Sequence, residues 1–143
     1  MGSTGNSYLL VGAALSAIAA LLHLGAIAFG ASWYRFLGAG EHMARMAAAG
    51  RLYPTVVTLA VAAVLLVWAL YALSGAGVIG RLPFLRFALC AITGIYLLRA
   101  VAFIPLMSLI PGNSLRFWLV SSAICLVFGI VHLLGVRQAW PHL

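Results

Sequence analysis

Side chains able to do chemistry are sparse in this chain: one carboxylate, Glu41, stands against eight arginines and no lysine, with four histidines and two cysteines in 143 residues. Three ionisable residues, His23, Arg99 and His132, fall within strongly apolar stretches. A charge in hydrocarbon is costly, so an ionisable residue there is a functional candidate by default. Arg99 precedes Met107 by eight residues, about 12 Å of helix. Its long side chain is expected to snorkel toward the headgroups. Two sharper readings pair it with Glu41 or with an anionic ligand held between helices.

His23 and His132 raise the question of a bis-histidine haem, since facing imidazoles in a helical bundle are a common ligation pattern. Depth opposes it. On helices, His23 lies about 23 Å from the terminal side of its stretch and His132 about 6 Å from that same side. Neutral histidines hydrogen-bonded to neighbouring helices are expected instead. Glu41, His42, Met43 and Met46 offer a carboxylate, an imidazole and two thioethers, a set that suits copper. Met43 lies off the face shared by His42 and Met46, however, and the methionines read as apolar contacts. A lipid-modifying enzyme needs an acid/base pair, and neighbours such as Glu41 and His42 point about 100° apart on a helix. No catalytic residue, metal or cofactor is therefore expected. Cys90 and Cys125 read as buried, inert thiols.

Four apolar stretches must position these groups: residues 8–31, 54–74, 84–107 and 115–136. Each is long enough to cross a hydrocarbon core of about 30 Å as a helix. With 66% hydrophobic and 6% charged residues, an ordinary soluble domain is excluded. The expected fold is all-α: a polytopic membrane protein forming one four-transmembrane-helix domain over residues 1–143. The first stretch reads as a retained helix, because no positive n-region precedes it and it is long for a signal-peptide core. The start also fails the myristoylation pattern, with Asn6 where Ser or Thr is required. Aromatic residues cluster at the expected boundaries, among them Trp33, Tyr34, Tyr53, Tyr71, Trp118 and Trp140, as headgroup-level rings do.

Sliding the first half over the second reveals a candidate duplication. Residues 14–29 on 88–103 give eight identities in sixteen positions, from Ala14/Ala88 to Phe29/Phe103. The second stretch on the fourth matches more weakly, including Ala63/Ala123 and Gly75/Gly135. A true duplication predicts two parallel-repeat helical hairpins. Residues 40–50, reading GEHMARMAAAG, predict a short interfacial helix with Glu41 and Arg45 on one face and Met43, Met46 and Ala47 on another. Such a helix is a solvated lip or a gate over the bundle. Gly12, Ser16 and Ala20 form a small-xxx-small stripe for close helix contact, and Ser121 and Ser122 can bond between helices.

The basic excess favours anionic phospholipids or an acidic partner surface; nucleic acid is not expected. With an even number of spans, Arg81, Arg86 and Arg137 share the terminal side, whereas Arg35, Arg45, Arg51 and Arg116 lie opposite. This tilts the positive-inside rule toward termini outside.

Through WYRFLGAGEHMAR, WALYALSGAG, LPFLR and the closing HLLG, the chain resembles uncharacterised small four-helix inner-membrane proteins of bacteria, and more loosely the DoxX-like group in span count and length. That resemblance implies the bacterial inner membrane and adds no catalytic residues. The expected role is an accessory or assembly subunit packed against a larger integral membrane protein complex and anionic lipid. The alternative is a small oligomeric transporter or binding bundle for an anionic or amphipathic molecule. Its candidate ligand or lipid residues are Arg99, His23, Glu41, His42, Arg45, Arg35 and Arg116.

Overall fold

Helix α1 (Ser7–Phe29) starts at Asn6, whose side chain accepts the Leu9 N–H at 3.0 Å, an N-cap placed just before an apolar run. The computed structural model describes residues 5–110 and 112–143. Residues 1–4, part of the start tested against the myristoylation pattern, and Pro111 of the third turn lie outside the described residues. After α1 come two short helices, α2 (Ala31–Phe36) and α3 (Glu41–Ala48). The long α4 (Leu52–Gly75), then α5 (Leu85–Val101), α6 (Phe103–Leu109) and α7 (Leu115–Ala139) follow, and Trp140–His142 closes with a 3-10 turn. The described residues contain no strand.

Three helices, α1, α4 and α7 with its 3-10 extension, are long and apolar enough to cross a membrane. The pair α5 and α6 makes a fourth if it counts as one span, and it is bent by 73°. This corrects the expectation of a single helix over residues 84–107. Pro105 supplies the reason: it has no N–H to give the Val101 carbonyl, and its ring crowds that carbonyl. The helix stops at Val101 and restarts with Pro105 in the first turn of α6, where a missing N–H is tolerated. The other stretches hold to within a few residues. The first breaks at Gly30, φ +78°, so that α2 turns away.

Helix α1 packs mainly on α4, and α5 mainly on α7; the pairs meet through α1 against α7 and α4 against α5. A Cβ built at Gly135 would lie 2.6 Å from Leu9 Cγ, and one at Gly75 would lie 2.8 Å from Leu9 Cδ1 and 2.7 Å from Leu89 Cδ1. The start of α1, the ends of α4 and α7, and the first turns of α5 therefore share one end of the molecule. The core is built largely from small residues, including Ala13, Ala20, Ala62, Ala69, Ala72 and Ala100, whereas Leu21, Val56, Leu98 and Val120 face outward. Small residues inside let helix backbones approach, and large apolar ones outside suit lipid, which solvates them as well as a core does.

At the other end, α2 and α3 form a small cap. Ala44 is fully buried, packed with Ala26 and Tyr34, and Met43, Ala47 and Trp33 cover them. Tyr34 and Thr58 share a hydrogen bond of 3.1 Å that ties α2 to α4. The short helix expected over residues 40–50 is present as α3 and rests on an Ala44-centred face. Glu41, His42 and Arg45 remain exposed.

Candidate functional site

Arg99 reaches across to the neighbouring helix. Its guanidinium donates from Nη2 to Ser121 Oγ at 2.8 Å and from Nη1 to Ser122 Oγ at 3.2 Å, and its Cζ sits 5.0 Å from the centre of the Trp118 ring. All three partners are on α7, facing Arg99 from the neighbouring helix. Hydroxyl dipoles and a π face within reach stabilise the cation without a long excursion to water. The same donors on a rigid fork make arginine better suited to this role than lysine.

Glu41 is not Arg99's counterion, and Arg45 is not its direct partner. Arg35 Nε donates to Oε2 at 2.9 Å and Nη2 to Oε1 at 3.0 Å, a two-pronged ion pair across the α2–α3 turn. This corrects both sequence expectations for Glu41. The turn between the two short helices brings Arg35 against the first residue of α3, where a fork can grip both oxygens. Hydrogen bonding to Arg35 lowers the Glu41 pKa, and the nearby Arg45 charge adds to the effect.

The polar centre of the bundle is elsewhere. Ser16 on α1 and Tyr96 on α5 share a 2.8 Å hydrogen bond. Around Tyr96 stand Trp68 and Phe128, both edge-on, and His132 with its ring 5.1 Å away. His132 is fully buried, its Nδ1 donating to the Phe128 carbonyl at 2.8 Å. With Nδ1 carrying the proton, Nε2 holds a lone pair that has no partner among the described residues. The ring lies on Gly12, where there is no side chain to displace it. Of the small-residue stripe, Gly12 meets α7, Ser16 bonds α5, and Ala20 belongs to the main core, so the whole stripe faces inward.

His23 is half-buried, with Nδ1 donating to the Ala19 carbonyl one turn back at 2.6 Å, so both histidines bond to their own helices and not to neighbouring ones as expected. His132 is level with Gly12, eleven residues before His23 on α1, a separation of roughly 16 Å along the axis. The two imidazoles are therefore not gathered at one iron-sized position. His42 instead lines a cleft of about 480 Å³ under α3, with Met43, Met46, Arg51, Tyr53 and Asn113. Arg45 and Arg116 are exposed at that same end. No group of three or more His, Cys, Asp or Glu residues able to hold a metal occurs among the described residues. Cys90 is exposed, contrary to expectation, because it lies on the outward face of α5; Cys125 is half-buried.

The sequence-predicted candidates thus separate into a capping ion pair, an interhelical clamp at Arg99 and a cleft beside His42. Tyr96, which organises the centre, was missed, and Trp118, read as a boundary ring, is instead buried beside Arg99, because an aromatic residue in an apolar helix carries no periodic signal of its partner. Asn6 carried a readable one, a capping residue directly before a hydrophobic run.

Comparison with known proteins gives no matching family model, no matching curated protein and no matching solved structure.

Proposed function

We propose that this protein is an accessory subunit of the bacterial inner membrane, a four-helix bundle that packs against a larger integral membrane protein and against anionic lipid. One observation carries the reading. Arg99 with Ser121 and Ser122, and Ser16 with Tyr96, bond between the protein's own helices, while His23 and His132 bond to carbonyls of their own helices. What the helices offer outward is apolar. A pathway or catalytic centre needs polar groups facing a water-filled space; a packing subunit needs an apolar exterior, with its polar groups turned toward its own helices. The pairing of α1 with α4 and of α5 with α7 supports the two-hairpin, parallel-repeat organisation.

Native mass spectrometry of the untagged protein, extracted gently with its neighbours and lipids, tests the role. A defined heteromeric mass is expected. Recovery only as a monomer or homodimer with a reproducible small ligand overturns it in favour of a second reading, an oligomeric bundle that binds an amphipathic anion. The cleft beside His42, Arg51 and Tyr53 supports that alternative.

A further inference from the structure

At the terminal end, a groove of about 420 Å³ runs along the start of α5, lined by Arg81, Phe84, Arg86, Phe87 and Trp140 among others. Arg86 stacks its guanidinium 4.5 Å from the centre of the Trp140 ring and donates one long bond, 3.4 Å, to the Trp140 carbonyl. Arg81 donates to the carbonyls of His142 and Leu143 at 3.1 and 2.9 Å. A guanidinium has five N–H donors, so both retain several that meet no acceptor among the described residues. Phe84 and Phe87 project outward, 84% and 76% exposed.

Charge decides the occupant. Glu41 is the chain's only acid, it stands at the opposite end, and Arg35 already holds it. Among the described residues no acidic side chain is within reach of Arg81 or Arg86; Arg81 is held to the main-chain oxygens of His142 and Leu143, and Arg86 only to the Trp140 carbonyl. They sit where α4 and α7 end and α5 begins, beside Trp140, at the level expected for headgroups if these helices span the bilayer. In the same groove, Phe84 and Phe87 flank Arg86 and offer aromatic surface for acyl chains.

We propose that this groove is a site for one anionic phospholipid, its phosphate held by Arg81 and Arg86 and its acyl chains laid against Phe84 and Phe87. The inference deepens the lipid part of the proposed function and rests on the membrane-embedded reading. An acidic protein segment would satisfy the cations, but it would leave the two phenylalanines in contact with polar backbone.

The full chain, freed of endogenous lipid in a mild non-ionic detergent, is titrated with phosphatidylglycerol or with phosphatidylcholine of the same acyl chains, and bound lipids are counted by native mass spectrometry. Phosphatidylglycerol is expected to bind roughly twentyfold tighter, the effect of two cations near a headgroup. Arg86→Gln should lower its affinity about fivefold and leave phosphatidylcholine unchanged. Arg86→Lys should keep part of the preference, and Arg137→Gln, an exposed change at the same end, should keep all of it. Thermal unfolding of the Arg86 variants alongside the Arg137 variant checks that the fold survives. Equal affinity for the two lipids overturns the site, as does an Arg137→Gln effect matching that of Arg86→Gln. Displacement of phosphatidylglycerol by millimolar inorganic phosphate or by a polyglutamate peptide also overturns it. No partner protein is present, so failure here is separate from failure of the accessory reading.

Discussion

The His132 ring lies on Gly12: a Cβ built at Gly12 would come within 2.9 Å of Cε1 and 3.1 Å of Nε2. The contact fixes how closely α1 and α7 approach at the level of the buried polar centre. Gly12→Ala should therefore destabilise the fold by about 1–3 kcal/mol through overpacking, despite the better helix propensity of alanine. In the His132→Ala background the same change should cost little, since the obstructing ring is gone. A double-mutant cycle in reversible unfolding measures the coupling; a Gly12→Ala cost that persists in that background contradicts the contact.

Arg99 bridges α5 and α7 through two serine hydroxyls. Replacing it with leucine should cost about 1 kcal/mol, the scale of interhelical hydrogen bonds in membranes, because the freed hydroxyls can bond to their own helix. Arg99→Lys should recover little, since a point charge cannot engage both serines as the fork does. Unfolding in detergent or bicelles reports this, with Ser121→Ala/Ser122→Ala expected to match Arg99→Leu in size.

Asn6 does two jobs, capping α1 through Leu9 and donating from Nδ2 to the Gly135 carbonyl at 2.6 Å. Asn6→Ala should cost about 2 kcal/mol, roughly one for the cap and one for the bond to α7. Asn6→Asp separates them: it keeps the cap acceptor, but it turns a donor into an oxygen facing a carbonyl. Amide exchange in the first turn of α1 should stay slow in Asn6→Asp and speed up in Asn6→Ala, and both variants should lose global stability.

The Arg35–Glu41 pair makes α3 acid-sensitive. Because Arg35 lowers the folded-state pKa of Glu41, the stabilisation is present in full above the unfolded carboxylate pKa of about 4.3 and is lost as pH falls through the lower folded value. From pH 6 to 8, amide exchange in α3 should show no Glu41-dependent change beyond its intrinsic rate. Below about pH 4, exchange corrected for intrinsic rates should accelerate in the wild-type chain and not in Glu41→Gln. The pair lies at the surface, its side chains half exposed, so the response should stay local to the cap.

Length and composition alone determined that apolar helices dominate and roughly where they lie, because the bilayer imposes a minimum run and the runs are unmistakable. The small helix over residues 40–50 was legible for a similar reason, from its local alternation of charged and apolar faces. The break of α5 was written in Pro105, whose missing N–H acts within one turn, yet overall hydropathy ran straight across it.

Tertiary structure decided the partners. Glu41 had several arginines within plausible reach, and only the turn between α2 and α3 selected Arg35. Arg99 met Ser121 and Ser122 because α5 lies along α7, a pairing that no spacing within either helix encodes. His132 and Gly12 are 120 residues apart in the chain and touch because α1 packs against α7. A local pattern reports the solvent around a segment and the rise of its helix; which faces meet depends on how several near-uniform apolar surfaces fit together at once.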